Sequence, residues 1–508
     1  MPIMKMDDGL HSADLILGDN IGKYQIVNLI HLLLLAFLAL MPLLQSLFNL
    51  NMNSWLYFVS ILLVASFLWS FISWYFINRT IFDPYLLFIT SAFLFNGSAA
   101  LLYLFKIGYS DTLLANFSTE LLIKSVFLVT FSIVSIHFGA VLACSNKNSR
   151  FYQPITNEER NRVAFASIRQ IGLILILVSL IPFLFFMRDI LHTVYITGYS
   201  GIFQREAQTG FGAWSNVLSG FLIPGIYFLL IGGKDKKIYK IIAISLMGFY
   251  SISYLYAGSR NRALLPLVVF LWIWHKFVKR FNLRRFLIIS LILIVIIFIV
   301  FPTIKIVRSI PGKERKSFLF YIESIKEVEN PLIFPFAEMG GSLRNVAYTI
   351  SLIPKERNYD FGQSYIYALL TIIPNLFWRV HPTIQRGTFS DWLVNRVNPY
   401  IAERGGGYGF SFIAEAYANF GWLGCLIVML VLGIFIGKLS IYAEVTKNPF
   451  LFGVIACFLP QLMFFTRGES ALLIRTFAWY SLIPYILAIS LFKAKVKIRE
   501  HMLSLDTH

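Results

Sequence analysis

The sequence predicts an all-α polytopic membrane protein, and three observations lead there. The mean hydropathy is +0.69. Hydrophobic residues make up 57% of the chain and charged residues only 14%, a balance foreign to soluble domains. The apolar residues also fall into runs of about twenty, the length a helix needs to cross a bilayer. The 49 Phe and 10 Trp suit lipid-facing and interfacial positions.

About twelve transmembrane helices are expected. They lie near 27–47, 55–77, 85–105, 119–143, 169–187, 213–232, 238–257, 263–279, 286–304, 411–437, 450–466 and 471–492. Loop charge orients them. Lys147, Arg150, Arg160 and Arg162 lie in one loop, and Lys234, Lys236, Lys237 and Lys240 in another. Lys276, Lys279, Arg280, Arg284 and Arg285 form a third group, and Lys493, Lys495, Lys497 and Arg499 end the chain. Alternating spans place all four groups on one side. The positive-inside rule makes that side cytoplasmic, with both termini inside.

Four parts follow. Residues 1–304 form a membrane domain of spans 1–9. Residues 305–410 form a large periplasmic loop. Residues 411–492 return to the membrane as spans 10–12, and 493–508 are a basic cytoplasmic tail. Within the loop, 364–380 read as an amphipathic helix on the membrane surface, interrupted by Pro374. Residues 333–353, with Gly340 and Gly341, read as a short re-entrant or surface helix. A structured loop this long is more often functional than passive. No cleavable leader is expected, because the first apolar run is a full-length span.

The net charge is +18. Its cytoplasmic share orients helices and attracts anionic lipid. No basic soluble module exists to bind nucleic acid. The rest is an outer arginine set that runs against the positive-inside rule. It includes Arg188, Arg205, Arg260, Arg262, Arg308, Arg315, Arg344, Arg357, Arg379, Arg386, Arg396, Arg404 and Arg467. Arginine suits a planar, multiply charged anion such as a pyrophosphate.

Three local strings could carry chemistry. The first is GGGYGFSFIAEAYANFGWLG at 405–424, a glycine loop entering a membrane helix. Ser411, Glu415, Asn419 and Trp422 would share one helical face. Glu415 is either a general base or a partner that orients an arginine, or else makes a structural salt bridge or helix-end polar contact. The second is Arg467-Gly468-Glu469-Ser470, a tight turn with Arg475 one helical turn beyond it. Arg475 should face the interior or a wet cavity, or else snorkel. The third is Gly258-Ser259-Arg260-Asn261-Arg262, a candidate anion nest at a helix start.

His381, between Arg379 and Arg386, is a reserve acid or base. The outer His192 and the three cysteines, Cys144, Cys425 and Cys457, show no site spacing. The chain has no HExxH, Walker A, GxSxG, dinucleotide fingerprint or acidic metal cluster.

With these strings on hand, the chain resembles the oligosaccharide repeat-unit polymerases, the Wzy-type O-antigen or capsule polymerases. GSR at 258–260, the 405–424 string and TRGESALLIR at 466–475 carry the resemblance, together with the late outer loop. Arg396 and Gly407 also fit an Arg-x10-Gly spacing described for that family.

The resemblance implies a GT-C-like, metal-independent membrane glycosyltransferase of the bacterial inner membrane, with its site facing the periplasm. Donor and acceptor would be glycans on undecaprenyl pyrophosphate, and no cofactor would be needed. A chain-length regulator and a flippase are implied as partners. On this reading Glu415 and His381 are the candidate catalytic residues. Arg260, Arg404, Arg467 and Arg475 would bind pyrophosphate. Arg205, Arg396, Tyr408, Tyr417 and Asn419 would bind substrate. An O-antigen ligase and a lipid-linked oligosaccharide flippase are the rival readings.

Overall fold

A computed structural model describes residues 24–505 except 39, 42–50, 107–116, 146–157, 205–210, 309, 318–319, 321–332, 374–380 and 447. Among the described residues the regular structure is entirely helical.

In chain order the first helices are α1 (Tyr24–Leu38), α2 (Met52–Asn78), α3 (Pro84–Asn96), α4 (Ser98–Leu104) and α5 (Thr119–Cys144). Then come α6 (Glu158–Thr197), α7 (Trp214–Gly232), α8 (Lys237–Tyr256), α9 (Arg260–Ile273) and α10 (Leu287–Arg308). Shorter helices follow: α11 (Phe334–Met339), α12 (Ser342–Leu352), α13 (Gln363–Leu370), α14 (Pro382–Arg386), α15 (Phe389–Val397) and α16 (Pro399–Glu403). The chain ends with α17 (Phe412–Val445), α18 (Pro449–Phe465) and α19 (Ser470–Met502).

Every expected span contains helix among the described residues. Eight of the helices are long and apolar enough to cross a membrane: α2, α5, α6, α7, α8, α10, α17 and α19. The pair α3–α4 would make nine, but it bends by 60°. The remaining three expected spans are the shorter helices α1 and α18 and the helix α9, which continues as a π turn to Val278. At 17 residues, α18 is about 26 Å long. Helix α1 is shorter still, whereas α9 with its π turn runs from Arg260 to Val278.

Other boundaries also shift. Helix α6 runs 40 residues, because its polar flanks continue the apolar run as helix; Glu158 and Glu159 sit favourably in its first turn. The 333–353 stretch is two helices separated at Gly340-Gly341. The 364–380 stretch is helical as α13, and residues 374–380 lie outside the described residues.

Small residues let the main helices touch backbone to backbone, as membrane helices do. A Cβ on Gly433 of α17 would lie 2.0 Å from the Ile136 carbonyl oxygen of α5. One on Gly139 would lie 2.2 Å from that of Leu430. Helix α17 is not continuous. Gly421 has φ 66°, a left-handed value that favours glycine, and breaks the helix there. Trp422 consequently lies past the break, and the single face expected for Ser411, Glu415, Asn419 and Trp422 stops at Asn419.

The break between α3 and α4 organises the neighbourhood of the candidate site. Asn96, fully buried, donates to the Thr466 carbonyl at 2.9 Å and accepts from the Ser411 hydroxyl at 2.7 Å. Ser411 in turn caps α17 through the Ile413 N–H. Phe410 N–H donates to the Arg467 carbonyl at 3.2 Å. One buried amide thus ties the α18–α19 turn to the glycine-rich loop.

Candidate active site: an arginine cluster around Glu338

Arg260 opens α9, just after Gly258, whose φ of 90° turns the chain out of α8. Arg308 and Lys305 lie in the last turn of α10. Arg467 sits in the turn between α18 and α19. The side chains converge on one acid, Glu338 of α11. Arg260 forms an ion pair with Glu338 Oε1, and Arg308 reaches the same oxygen at 3.2 Å. Arg467 interacts electrostatically with Glu338, Arg260 and Arg308. Lys305 lies 4.1 Å from the Phe334 ring centroid at the start of α11 and also feels Glu338.

Two arginines are therefore bonded to one carboxylate, and Arg467 and Lys305 add their charges to the same neighbourhood. Burial alone would raise the Glu338 pKa. The Arg260 hydrogen bond and the charges of Arg260, Arg308 and Lys305 outweigh that and hold it below the usual carboxylate range. Glu338 is thus ionised at neutral pH, and the cluster keeps an excess of positive charge. Arg260 also lies at a helix N-terminus, where the helix dipole disfavours a cation and favours an anion. The arrangement suits an anion with several oxygens.

The walls are aromatic. Arg308 lies over Tyr199 at 5.6 Å, Arg260 over Phe301 at 4.9 Å and Arg467 over Phe95 at 5.3 Å. Tyr408 borders the cluster through Gly409, which abuts Arg467. Arg344 lies 3.9 Å above the Tyr408 ring, and its buried Nε has no hydrogen-bond partner. Asn345 donates to the Tyr408 carbonyl at 3.2 Å, and Asn398 to its hydroxyl at 3.2 Å.

Of the residues expected to bind pyrophosphate, the structure brings Arg260 and Arg467 together. Arg404 is exposed over Tyr400. It connects to the cluster only indirectly, as Gly405 abuts Phe203, which packs on Tyr199. Arg475 is exposed rather than facing the interior. Arg396 pairs with Glu356 at the surface. Arg205 and Arg379 lie outside the described residues.

Glu415 is buried and takes two bonds from Ser470, the backbone N–H at 2.8 Å and the hydroxyl at 2.6 Å. It caps the start of α19. Asn419 clamps Gly362 N–H at 2.8 Å and the Ser364 hydroxyl at 2.8 Å. Tyr417 is buried against Tyr359 and Trp422. His381 is also buried. Its Nδ1 pairs with Thr383 Oγ1 at 2.6 Å and its Nε2 with the Ile373 carbonyl at 3.0 Å.

Sequence reasoning did not single out Glu338 or Lys305, and it placed Arg308 only in the general outer arginine set. The one available signal was an isolated acid ahead of the paired glycines. Glu469 was missed as well. Its carboxylate caps α15 by accepting from Phe389 N–H at 2.9 Å and Ser390 N–H at 2.7 Å. A second basic centre gathers two arginines of the outer set, Arg357 and Arg386, around Asp360, an acid the sequence did not mark. There the acid is buried and both its oxygens are paired. Among the described residues no group of three or more His, Cys, Asp or Glu could hold a metal ion.

Comparison with known proteins gives three findings. The pattern of the family described as O-antigen polysaccharide polymerase Wzy matches residues 26–497. Protein CapE of Staphylococcus aureus is 25% identical over 321 residues, covering 62% of this chain and 63% of that protein. The match thus spans less than two thirds of that relative's length. No solved structure matches the chain. A multi-pass helical chain matched over nearly its whole length in this way belongs to the O-antigen polysaccharide polymerase Wzy family.

Proposed function

We propose that the chain polymerises lipid-linked oligosaccharide repeat units into a surface polysaccharide. The growing glycan leaves undecaprenyl pyrophosphate and joins the non-reducing end of a new lipid-linked unit. Family membership supports the reaction class. The observation that carries the site is the excess of cations around Glu338, supplied by Arg260, Arg308, Arg467 and Lys305.

The bond from the anomeric carbon to the pyrophosphate oxygen breaks, and its electron pair goes to the leaving group. A hydroxyl oxygen of the acceptor bonds to the anomeric carbon. Arg260, Arg308 and Arg467 stabilise the charge that develops on the pyrophosphate, as fixed cations do in a site that excludes water. The guanidinium groups fill the role a divalent metal plays elsewhere, which makes the reaction metal-independent on this reading. The hydroxyl proton passes to the departing pyrophosphate, whose newly freed oxygen is a base within reach. Glu415 and His381, expected as proton acceptors, are both engaged in structural bonds. This reading therefore gives them positioning tasks.

The topology of the reading is twelve crossings in a GT-C-like arrangement in the bacterial inner membrane. The cluster then faces the periplasm, because Arg260, Arg308, Glu338 and Arg467 all fall on outer connections. The polyprenyl tails lie along the apolar outer faces. A chain-length regulator and a flippase act beside it.

The test is extension by purified protein in nanodiscs, given repeat units on undecaprenyl pyrophosphate with EDTA present. A ladder of lengths supports the proposal. Its absence, with transfer to a lipid A core acceptor instead, replaces polymerase by ligase.

A further inference from the structure

The Glu338 carboxylate is the least settled group in the cluster. Its Oε1 is shared by two arginines, Arg260 and Arg308. Its Oε2 is buried without any hydrogen-bond partner. A buried acceptor left unmade costs free energy. Asp360, the comparable acid in the second arginine centre, has both oxygens paired.

The backbone that carries Glu338 is fixed. Gly340 packs so tightly on α4 that a Cβ there would lie 2.7 Å from Ala99 N. The Ser98 hydroxyl donates to the Phe336 carbonyl at 2.8 Å. Any rearrangement is therefore confined to the side chain. Next to it, Gly341 leaves room: an added Cβ would meet only the Glu338 carbonyl, at 3.5 Å.

Resting on the pyrophosphate reading of this cluster, we propose that Glu338 selects the ligand by charge. Its carboxylate occupies the seat of one phosphoryl group and yields it to a diphosphate, but not to a monophosphate. The physics is competition. A tethered carboxylate is present at high effective concentration. A monophosphate gains the same two guanidinium contacts that Glu338 already makes, so it displaces the acid poorly. A diphosphate also reaches Arg467 and Lys305, and that extra contact outweighs the loss. The consequence for turnover is selective. The enzyme would bind lipid diphosphate in preference to lipid monophosphate.

The test uses the full chain in detergent, titrated with inorganic pyrophosphate and with orthophosphate by calorimetry. Wild type should bind pyrophosphate at least about tenfold more tightly than orthophosphate, and Arg467→Ala should lose much of that difference. Glu338→Gln should tighten orthophosphate binding about tenfold or more and narrow the ratio. Glu338→Asp keeps the charge with a shorter reach, and should fall between wild type and Gln. It carries the test if the Gln variant does not fold.

An unchanged ratio in both variants, or weaker binding of both anions, overturns the role of Glu338 alone. Wild type that binds neither anion overturns the pyrophosphate reading itself.

Discussion

Glu415 and Ser470 are joined twice, by the Ser470 backbone N–H at 2.8 Å and by its hydroxyl at 2.6 Å. The carboxylate lies on α17 and caps the first turn of α19, just after the turn that presents Arg467. A residue that looked like a base from its place in a membrane helix is therefore a bracket between two helices. Removing it should cost stability before it costs chemistry. Glu415→Ala leaves a buried N–H unsatisfied, a loss of about 1–3 kcal/mol. Ser470→Ala keeps the backbone bond and should lose less. Thermal unfolding in detergent orders the two. A Glu415→Ala protein with wild-type melting but no turnover would return Glu415 to the chemistry.

Arg260, Arg308 and Arg467 should each matter to rate. Truncating one charge donor in such a site costs about a hundred- to a thousandfold in turnover. Lysine should rescue only in part, because it lacks the planar fork that grips two oxygens. Initial rates of repeat-unit extension for the Ala and Lys variants check this. Equal rates for Ala and wild type at all three positions would contradict it.

Glu469 gives stability a pH slope. Burial, then the neighbouring Glu415 charge, push its pKa from the ordinary 4.5 up to about 8. Between those values the folded protein holds a proton that the unfolded chain has released. Stability therefore falls as pH rises through that window, by up to about 1.4 kcal/mol per pH unit. The melting temperature should be higher at pH 5.5 than at pH 8.5, and Glu469→Gln should flatten this difference. Parallel slopes for wild type and variant would show that another group governs the trend.

The α5–α17 contact should not tolerate a side chain. Gly433→Ala places a Cβ against the Ile136 backbone, where neither helix can yield without moving, and overpacking of this kind costs about 1–3 kcal/mol. At Gly248 of α8 nothing lies within 4 Å of an added Cβ. Gly248→Ala should therefore be neutral or slightly stabilising, since alanine is the better helix former. Size-exclusion profiles after graded heating separate the two.

The legible part of this chain was its periodicity and its charge. Runs of apolar residues mark helices well, because the bilayer imposes one length on them. Bends do not show the same way. The 60° break at Gly97 and the left-handed Gly421 depend on what packs nearby, such as Tyr359 beside Gly421. Arg260 and Arg467 could be singled out because arginine on an outer turn is costly to explain otherwise. Glu338 was hidden, since an acid becomes a site residue only when residues about 30 to 130 positions away fold onto it. Glu415 was singled out for its place in a membrane helix, but the sequence left its task open between base and structural contact, because its partner Ser470 lies 55 residues on.

The most direct test of the central claim is repeat-unit extension by purified wild type beside Arg308→Ala and Arg467→Ala, all with EDTA and matched for folding. The account predicts a ladder of polymer lengths from wild type that shrinks to little more than single additions in both variants. A wild-type ladder left intact in both variants, or one that appears only when a divalent metal is restored, would contradict it.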